Sequence, residues 1–308
     1  MWNLILLILF IGIVGVILFN AFHKEENNGL RLYIISVSIL ITLVIIINNI
    51  LLDKGSLNRF QKQLNRFQKQ AADEIIHTMP PERNLKTIVT VPKDIYICYK
   101  TKDLPPYVAL NWEKLNPGYK VQIYDDKDCE EFLLHEYGQT HAKLFKSIPD
   151  GPIRADFWRI CMIYARGGVY TDADVEPLVP MKDFVNPNAS FVICMNPASK
   201  VGANPHFIVA TPKHPILKIC MDIYLKMYKE GVEYSYWGWS IAGIMYKSME
   251  KYIPNFEHRE GLQKGKYGSI IQILKEITFS DPTKDYITYK GIKVLNNRYK
   301  SYSGHQFN

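Results

Sequence analysis

Between Arg154 and Pro177 the apolar period changes from helical to extended within one unbroken run, R-A-D-F-W-R-I-C-M-I-Y-A-R-G-G-V-Y-T-D-A-D-V-E-P. Phe157, Ile160, Cys161 and Tyr164 recur at helical spacing and mark one apolar face. Just upstream, Asp150 suits a cap and Pro152 suits a first helical turn. Gly167-Gly168 ends the helix, because glycine takes the left-handed exit without steric cost. Val169-Tyr170-Thr171 is then a short β-prone run that leads into Asp172-Ala173-Asp174. Strands and helices alternate in this way along residues 91–308, which implies an α/β sandwich with a mostly parallel sheet.

In a strand, residues two apart point to the same side. If the chain stays extended past Thr171, the carboxylates of Asp172 and Asp174 face one spot. Two hard oxygen donors there suit Mg²⁺ or Mn²⁺, which also takes phosphate oxygens. Asp156 and Arg159 are three apart and share one helix face, so one could grip a sugar hydroxyl and the other a phosphate. The plainer alternative is a solvated acidic turn and a surface ion pair, since a bare Asp-x-Asp is common.

The whole string resembles the sugar-binding Asp-x-Asp region of glycosyltransferase family 32, which includes initiating and inositol-phosphoceramide mannosyltransferases. Arg154, Ala155, Asp156, Arg159, Gly167, Gly168, Tyr170, Asp172, Asp174 and Val175 stand at the family's spacing. The similarity covers about residues 91–305. It implies a GT-A-type nucleotide-sugar-binding fold. It also implies retaining, metal-dependent transfer of a hexose, mannose favoured, from a GDP- or UDP-hexose to a hydroxyl of a glycan or glycolipid. On that resemblance Asp172 and Asp174 hold Mn²⁺ or Mg²⁺, with His305 as a candidate third ligand. Arg159 is a fixed cation beside the departing phosphates, and Asp156 orients sugar hydroxyls. Tyr99 stands where the family has a base-stacking tryptophan, and Arg154 and Asn204 complete the substrate-binding set.

The chain departs from the pattern at three places. Tyr96 replaces a histidine, Tyr99 replaces the tryptophan, and Trp237-Gly238-Trp239-Ser240 replaces a Thr-Gly-Pro. The two tryptophans fit either a sugar platform or membrane-facing aromatics. A catalytically inactive transferase-like membrane scaffold, or another metal-dependent nucleotide-using transferase, is the alternative. No glycine-rich phosphate loop of P-loop type is present.

Upstream of residue 91 the composition differs. Residues 2–22 carry no charged side chain, and residues 32–52 form a second such run. Each is long enough for about 30 Å of helix, which predicts a transmembrane hairpin over residues 1–52. Lys24 and Arg31 lie between the runs, whereas Lys54, Arg59, Lys62, Arg66 and Lys69 follow them. That asymmetry favours a two-pass integral membrane protein with a cytosolic catalytic domain, and the Golgi-lumenal placement of the family is the alternative.

The net charge is +7, but the basic excess of residues 53–70 supplies over half of it. It therefore argues for contact with anionic headgroups and not for nucleic acid. In residues 53–90, read as a juxtamembrane stalk, L-N-R-F-Q-K-Q occurs twice, at residues 57–63 and 64–70. Its apolar seam fits a membrane-surface helix, a plain stalk or a short coiled coil in a homodimer. Five scattered cysteines without C-x-x-C spacing point away from a disulfide framework or zinc site.

Overall fold

The computed structural model describes residues 55–78, 90–195, 202–281 and 284–297. Residues 55–78 form a helix, α1. Its residues from Leu64 onward belong to a compact unit that contains everything downstream, and residues up to Gln63 belong to another.

Within the larger unit, ten strands make one sheet. These are β1 (Asp94–Cys98), β2 (Lys120–Tyr124), β3 (Gly168–Thr171), β4 (Glu176–Pro177), β5 (Ala189–Met195), β6 (Ala203–Ala210), β7 (Gly261–Lys264), β8 (Ile270–Ile277), β9 (Tyr286–Tyr289) and β10 (Ile292–Asn296). The order is β2-β1-β3-β6-β5-β8-β9-β10-β4, with β7 paired to β8 off that path. Helices α2 (Tyr107–Leu115), α3 (Asp126–Tyr137), α4 (Gln139–Ser147) and α5 (Gly151–Arg166) occur among the first three strands in sequence. Helices α6 (Pro215–Lys229), α7 (Tyr236–Trp239) and α8 (Ile241–Tyr252) follow β6.

The α/β class holds, but a mostly parallel sheet does not. Only β1–β2, β1–β3 and β5–β8 are parallel. Six other pairings among the described residues are antiparallel. The reason is the connections: parallel neighbours need long crossovers, whereas β9 and β10 are joined by the two residues Lys290-Gly291. One sheet face collects Ile95, Val169, Val192, Phe207 and Val209 with Trp112 of α2. Tyr170 turns the other way, edge-on to Trp158 of α5 at 6.4 Å between centroids.

The join between α5 and β3 is as the glycine pair predicts. Gly167 caps the helix at φ +66° and Gly168 opens the strand at φ +95°. Neither has room for a side chain. A Cβ on Gly167 would lie 2.6 Å from Pro212 Cδ, and one on Gly168 would lie 2.7 Å from the Asp94 carbonyl oxygen. At α3 the cap is Asp125, which accepts from the Asp128 amide while the Asp128 carboxylate accepts from the Asp125 amide.

The second copy of the duplicated heptad packs against its own chain. Leu64 is 3% exposed and Gln68 2%, and Ala71 and Ala72 are fully buried. Gln68 Nε2 donates to the Gly238 carbonyl at 2.7 Å, and Lys247 Nζ donates to Asn65 at 3.0 Å. Asp73 pairs with Lys251 and Glu74 with Lys226. The four residues after the repeat set its register. A slide of one heptad would force Leu64 and Asn65 into the sites of the two alanines and place Arg66 against Lys251. In the other unit, Leu57 of the first copy is 60% exposed.

The expected two-pass integral membrane placement is corrected: among the described residues no helix is long and apolar enough to cross a membrane. The two runs read as a transmembrane hairpin, residues 2–22 and 32–52, lie outside the described residues. Apolar length alone establishes that a segment avoids water, not what it is buried against.

The tight α5–β3 join yields a stability prediction. Gly168→Ala combines a positive φ with a backbone clash and should cost about 2–4 kcal/mol in urea unfolding. An unfolding midpoint equal to wild type would show that the β1–β3 contact is not as close as described.

Candidate active site

Parallel strands β2, β1 and β3 lie side by side with β1 in the middle. The chain leaves β1 toward β2 on one side and returns as β3 on the other. Crevices outside the carboxyl ends of strands at such a reversal are where open α/β sheets bind ligands. Ile95 pairs with Val169 and Tyr96 with Tyr170. Continued by two residues, that register sets Cys98-Tyr99 alongside Asp172-Ala173. The acid pair therefore leaves the sheet at this crevice.

The chain does not stay extended there. The Asp172 amide donates to the His206 carbonyl at 2.9 Å, one last rung on β6, and then the Val175 amide donates back to the Asp172 carbonyl at 3.2 Å. Asp172-Ala173-Asp174-Val175 is thus a turn, and the expected strand-like alignment of the two carboxylates is replaced by a turn's geometry. Trp112 pins the far side through Nε1 to the Val175 carbonyl, 3.3 Å, and stacks on Phe207 at 5.8 Å.

Behind the turn sits a charged network. Arg159 Nη1 lies 3.3 Å from Asp172 Oδ1 and donates to the Pro205 carbonyl at 2.9 Å. Its Nη2 lies 3.1 Å from Asp156 Oδ1, and the guanidinium stands 4.4 Å from the centre of the Tyr170 ring. The Tyr170 hydroxyl donates to Asp172 Oδ1 at 2.6 Å. Asp156 Oδ2 accepts from the Ile241 amide at 3.0 Å, at the start of α8. These contacts follow from local rules. Asp156 and Arg159 are one turn apart on α5, while Tyr170 and Asp172 share a face of β3 and its extension.

The electrostatics are those of a paired buried charge. Burial works against the Arg159 cation, but Asp172, Tyr170 and Asp156 more than offset it and hold the guanidinium firmly protonated. Burial lifts the Asp156 carboxyl from 3.8 to about 6, against the pull of Arg159 and the Ile241 amide, with Asp172 adding to the rise. Burial also pushes the Tyr170 hydroxyl well above its ordinary range, so it remains a donor to Asp172. Asp172 is the open member: its side chain keeps 32% exposure against 7% for Arg159.

The remaining predicted residues divide. Tyr99 is half-buried at the end of β1, where its amide donates to the Tyr124 carbonyl at 3.0 Å. Asn204, at the start of β6, donates to Glu276 Oε1 at 2.8 Å, an oxygen that also accepts from Asn297. Arg154 is directed elsewhere, paired with Asp126 at 2.7 Å. Of the neighbouring pair Asp125-Asp126, the first caps α3 and the second is taken by Arg154. His214 is the cap of α6, accepting from the Ile216 amide at 3.3 Å. His305 lies outside the described residues. Sequence reasoning missed Tyr170 as a structural partner, although its two-residue spacing from Asp172 was a signal. The Ile241 amide and the Pro205 carbonyl had none, being backbone groups brought in from distant sequence.

Among the described residues no cluster of three or more His, Cys, Asp or Glu side chains could hold a metal. An acidic pair fits an ion that takes one or two carboxylates and draws its other ligands from phosphates and water.

Comparison with known proteins finds similarity across this region. Residues 107–192 match the glycosyltransferase sugar-binding region containing the DXD motif. The Asp172-Ala173-Asp174 run lies within the matched residues. Over 77 residues the chain is 38% identical to an initiation-specific alpha-1,6-mannosyltransferase of Candida albicans, covering 24% of this chain and 20% of the relative. Over 139 residues it is 28% identical to mannosyl phosphorylinositol ceramide synthase SUR1 of Saccharomyces cerevisiae, covering 44% and 34%. Inositol phosphoceramide mannosyltransferase 1 of Schizosaccharomyces pombe is 25% identical over 134 residues, covering 41% and 40%. The matches thus span only about a fifth to two fifths of these relatives. Among solved structures, PaToxG glycosyltransferase aligns over 64% of this chain and 76% of its own, with 15% identity and a TM-score of 0.40.

The DXD region stands on Arg159, which yields a prediction. Arg159→Met removes the counter-charge of a buried carboxylate and should destabilise the fold by about 3–5 kcal/mol in urea unfolding. Adding Asp156→Asn should recover part of the loss. Wild-type stability in the single variant would show that the two carboxylates do not depend on the guanidinium.

Proposed function

We propose that this chain is a metal-dependent, retaining glycosyltransferase of GT-A type. It transfers a hexose, mannose favoured, from a GDP- or UDP-sugar to a hydroxyl of a glycan or glycolipid. The observation that carries this reading is the DXD turn at the β1/β3 crevice, braced from behind by Arg159 and Tyr170. Mannosyl transfer is favoured because the relatives named above are mannosyltransferases by description.

In this reading Asp172 and Asp174 hold the ion, and a bound divalent ion supplies a Lewis acid for the departing diphosphate. The protein's own groups do the positioning. Tyr170 and Arg159 both grip Oδ1 of Asp172, which fixes the carboxylate plane while its outer surface stays open. Arg159 is fully engaged, so its charge acts from behind the carboxylates as a fixed, preorganised cation. Asp156, anchored through both oxygens, keeps acceptor lone pairs for sugar hydroxyls. Asn204 is set by Glu276 at the same sheet edge. Tyr99 lies at the end of β1 where a nucleotide base can stack on it.

Two measurements test the assignment. Asp172→Asn and Asp174→Asn should each abolish Mn²⁺-dependent turnover of nucleotide sugars, with thermal unfolding unchanged in Asp174→Asn and lowered in Asp172→Asn, which takes a counter-charge from Arg159. Full turnover in either variant would remove that residue from the metal site. Tyr99→Ala should weaken nucleotide binding by about 1–3 kcal/mol in calorimetry, the scale of a base–aromatic stack, and Tyr99→Trp should restore it. A nucleotide dissociation constant unchanged in the alanine variant would make Tyr99 a packing residue.

A further inference from the structure

We infer that Trp237 is an acceptor platform on which a pyranose ring of a glycoside acceptor stacks. The inference rests on the transferase reading and makes the acceptor a sugar-bearing molecule in preference to a bare alcohol.

The W-G-W-S run separates into two different tryptophans. Trp239 is structural: it is 4% exposed, its Nε1 donates to the Glu233 carbonyl at 3.2 Å, and its ring packs on Tyr224 and Tyr234. Trp237 is 74% exposed, the most exposed of the large hydrophobic side chains described. An indole left in water forgoes the burial that stabilises a fold.

The segment that presents it is not loose. The Gly238 carbonyl accepts from Gln68 and the Trp239 carbonyl from the Tyr224 hydroxyl, at 2.7 and 2.6 Å. A Cβ on Gly238 would fall 2.2 Å from Leu64 Cδ2, so α1 is packed directly under the tryptophan's neighbour. Tyr234, three residues before Trp237, donates its hydroxyl to Asp150, at the start of α5. Four residues after Trp237, the Ile241 amide holds Asp156. An exposed aromatic on a backbone fixed at this many points loses little freedom on binding, which is the property a preorganised platform needs.

Its neighbour ties it to the carboxylate network. Tyr236 meets Trp237 edge-on, centroids 5.1 Å apart and planes at 78°. Burial raises the Tyr236 hydroxyl, and Asp156 and Asp150 raise it further while Arg159 opposes them, so this ring lies within electrostatic reach of the network. The backbone on either side of the aromatic pair is tied to α5, at Asp150 through the Tyr234 hydroxyl and at Asp156 through the Ile241 amide. A pyranose has an apolar C–H face that stacks on an indole and hydroxyls at its rim that a polar site can orient. With the ring on Trp237, an acceptor hydroxyl is directed toward the donor. Its oxygen bonds to C1 of the donor sugar as the C1–O bond to the diphosphate breaks. The diphosphate leaves with that electron pair and takes up the hydroxyl proton.

The test has a binding arm and a turnover arm, both on the full chain. Saturation-transfer NMR with methyl mannobiosides, glucobiosides and galactobiosides should show one series binding wild type. Trp237→Ala should weaken that binding about fivefold, the scale of one aromatic contact, and Trp237→Phe should retain most of it. Acceptor-independent hydrolysis of the nucleotide sugar should be the same in Trp237→Ala and wild type. Equal binding by wild type and Trp237→Ala, or no binding of any series by wild type, overturns the platform. Absence of nucleotide-sugar hydrolysis in wild type instead overturns the transferase reading, and the NMR result then still decides whether Trp237 holds a sugar.

Discussion

Arg159 brings a full positive charge into a site where 7% of its side chain meets solvent, and the surroundings are built to accept it. Desolvating a guanidinium is expensive unless its donors and its charge are matched. Here α5 supplies Asp156, the extension of β3 supplies Asp172, β6 supplies the Pro205 carbonyl, and β3 supplies the ring of Tyr170. One cation thereby fixes the relative positions of a helix and two strands. Because Asp156 also accepts the Ile241 amide, the start of α8 is drawn into the same network. The glycine pair at residues 167–168 is the covalent counterpart, since only there can α5 turn back closely enough to place Arg159 beside Asp172.

The sheet divides its labour along its order. The parallel group β2-β1-β3 opens the crevice at its carboxyl edge, as parallel strands with crossover helices do. Beyond β3 the directions are mixed: β6 runs antiparallel to β5 and β5 parallel to β8, so that the start of β6 and the end of β8 reach the same edge. Asn204 and Glu276 meet there for that reason, with Asn297 just after β10. Strand order and direction thus bring together residues that are 72 positions apart in sequence.

Helix α1 shows how identical sequence acquires different surroundings. The second heptad is buried by contacts with α6, α7 and α8, and its place is specified by Ala71, Ala72, Asp73 and Glu74, which follow it. The charged pairs with Lys251 and Lys226 are surface interactions of modest strength. The two alanines, fully buried, exclude the register in which leucine and asparagine would take their sites.

The local features of this chain were legible without coordinates, because they are enforced by neighbours in sequence. The helix over residues 151–166, the exit at Gly167-Gly168 and the strand that follows depend on period, glycine and short-range hydrogen bonds. The motif spacing likewise identified the sugar-binding region. The sequence could not supply the groups that meet across the fold. The antiparallel half of the sheet depends on which edges pair. The DXD residues sit in a turn because β6 takes the last backbone rung and Trp112 holds Val175. Arg154 is diverted to Asp126 on another helix. Trp239 and Trp237, two letters apart, differ because the first packs on Tyr224 and Tyr234 while the second stands in solvent beside Tyr236. Such outcomes depend on which surfaces are left to cover once the helices and sheet have packed, and packing is a property of the whole chain.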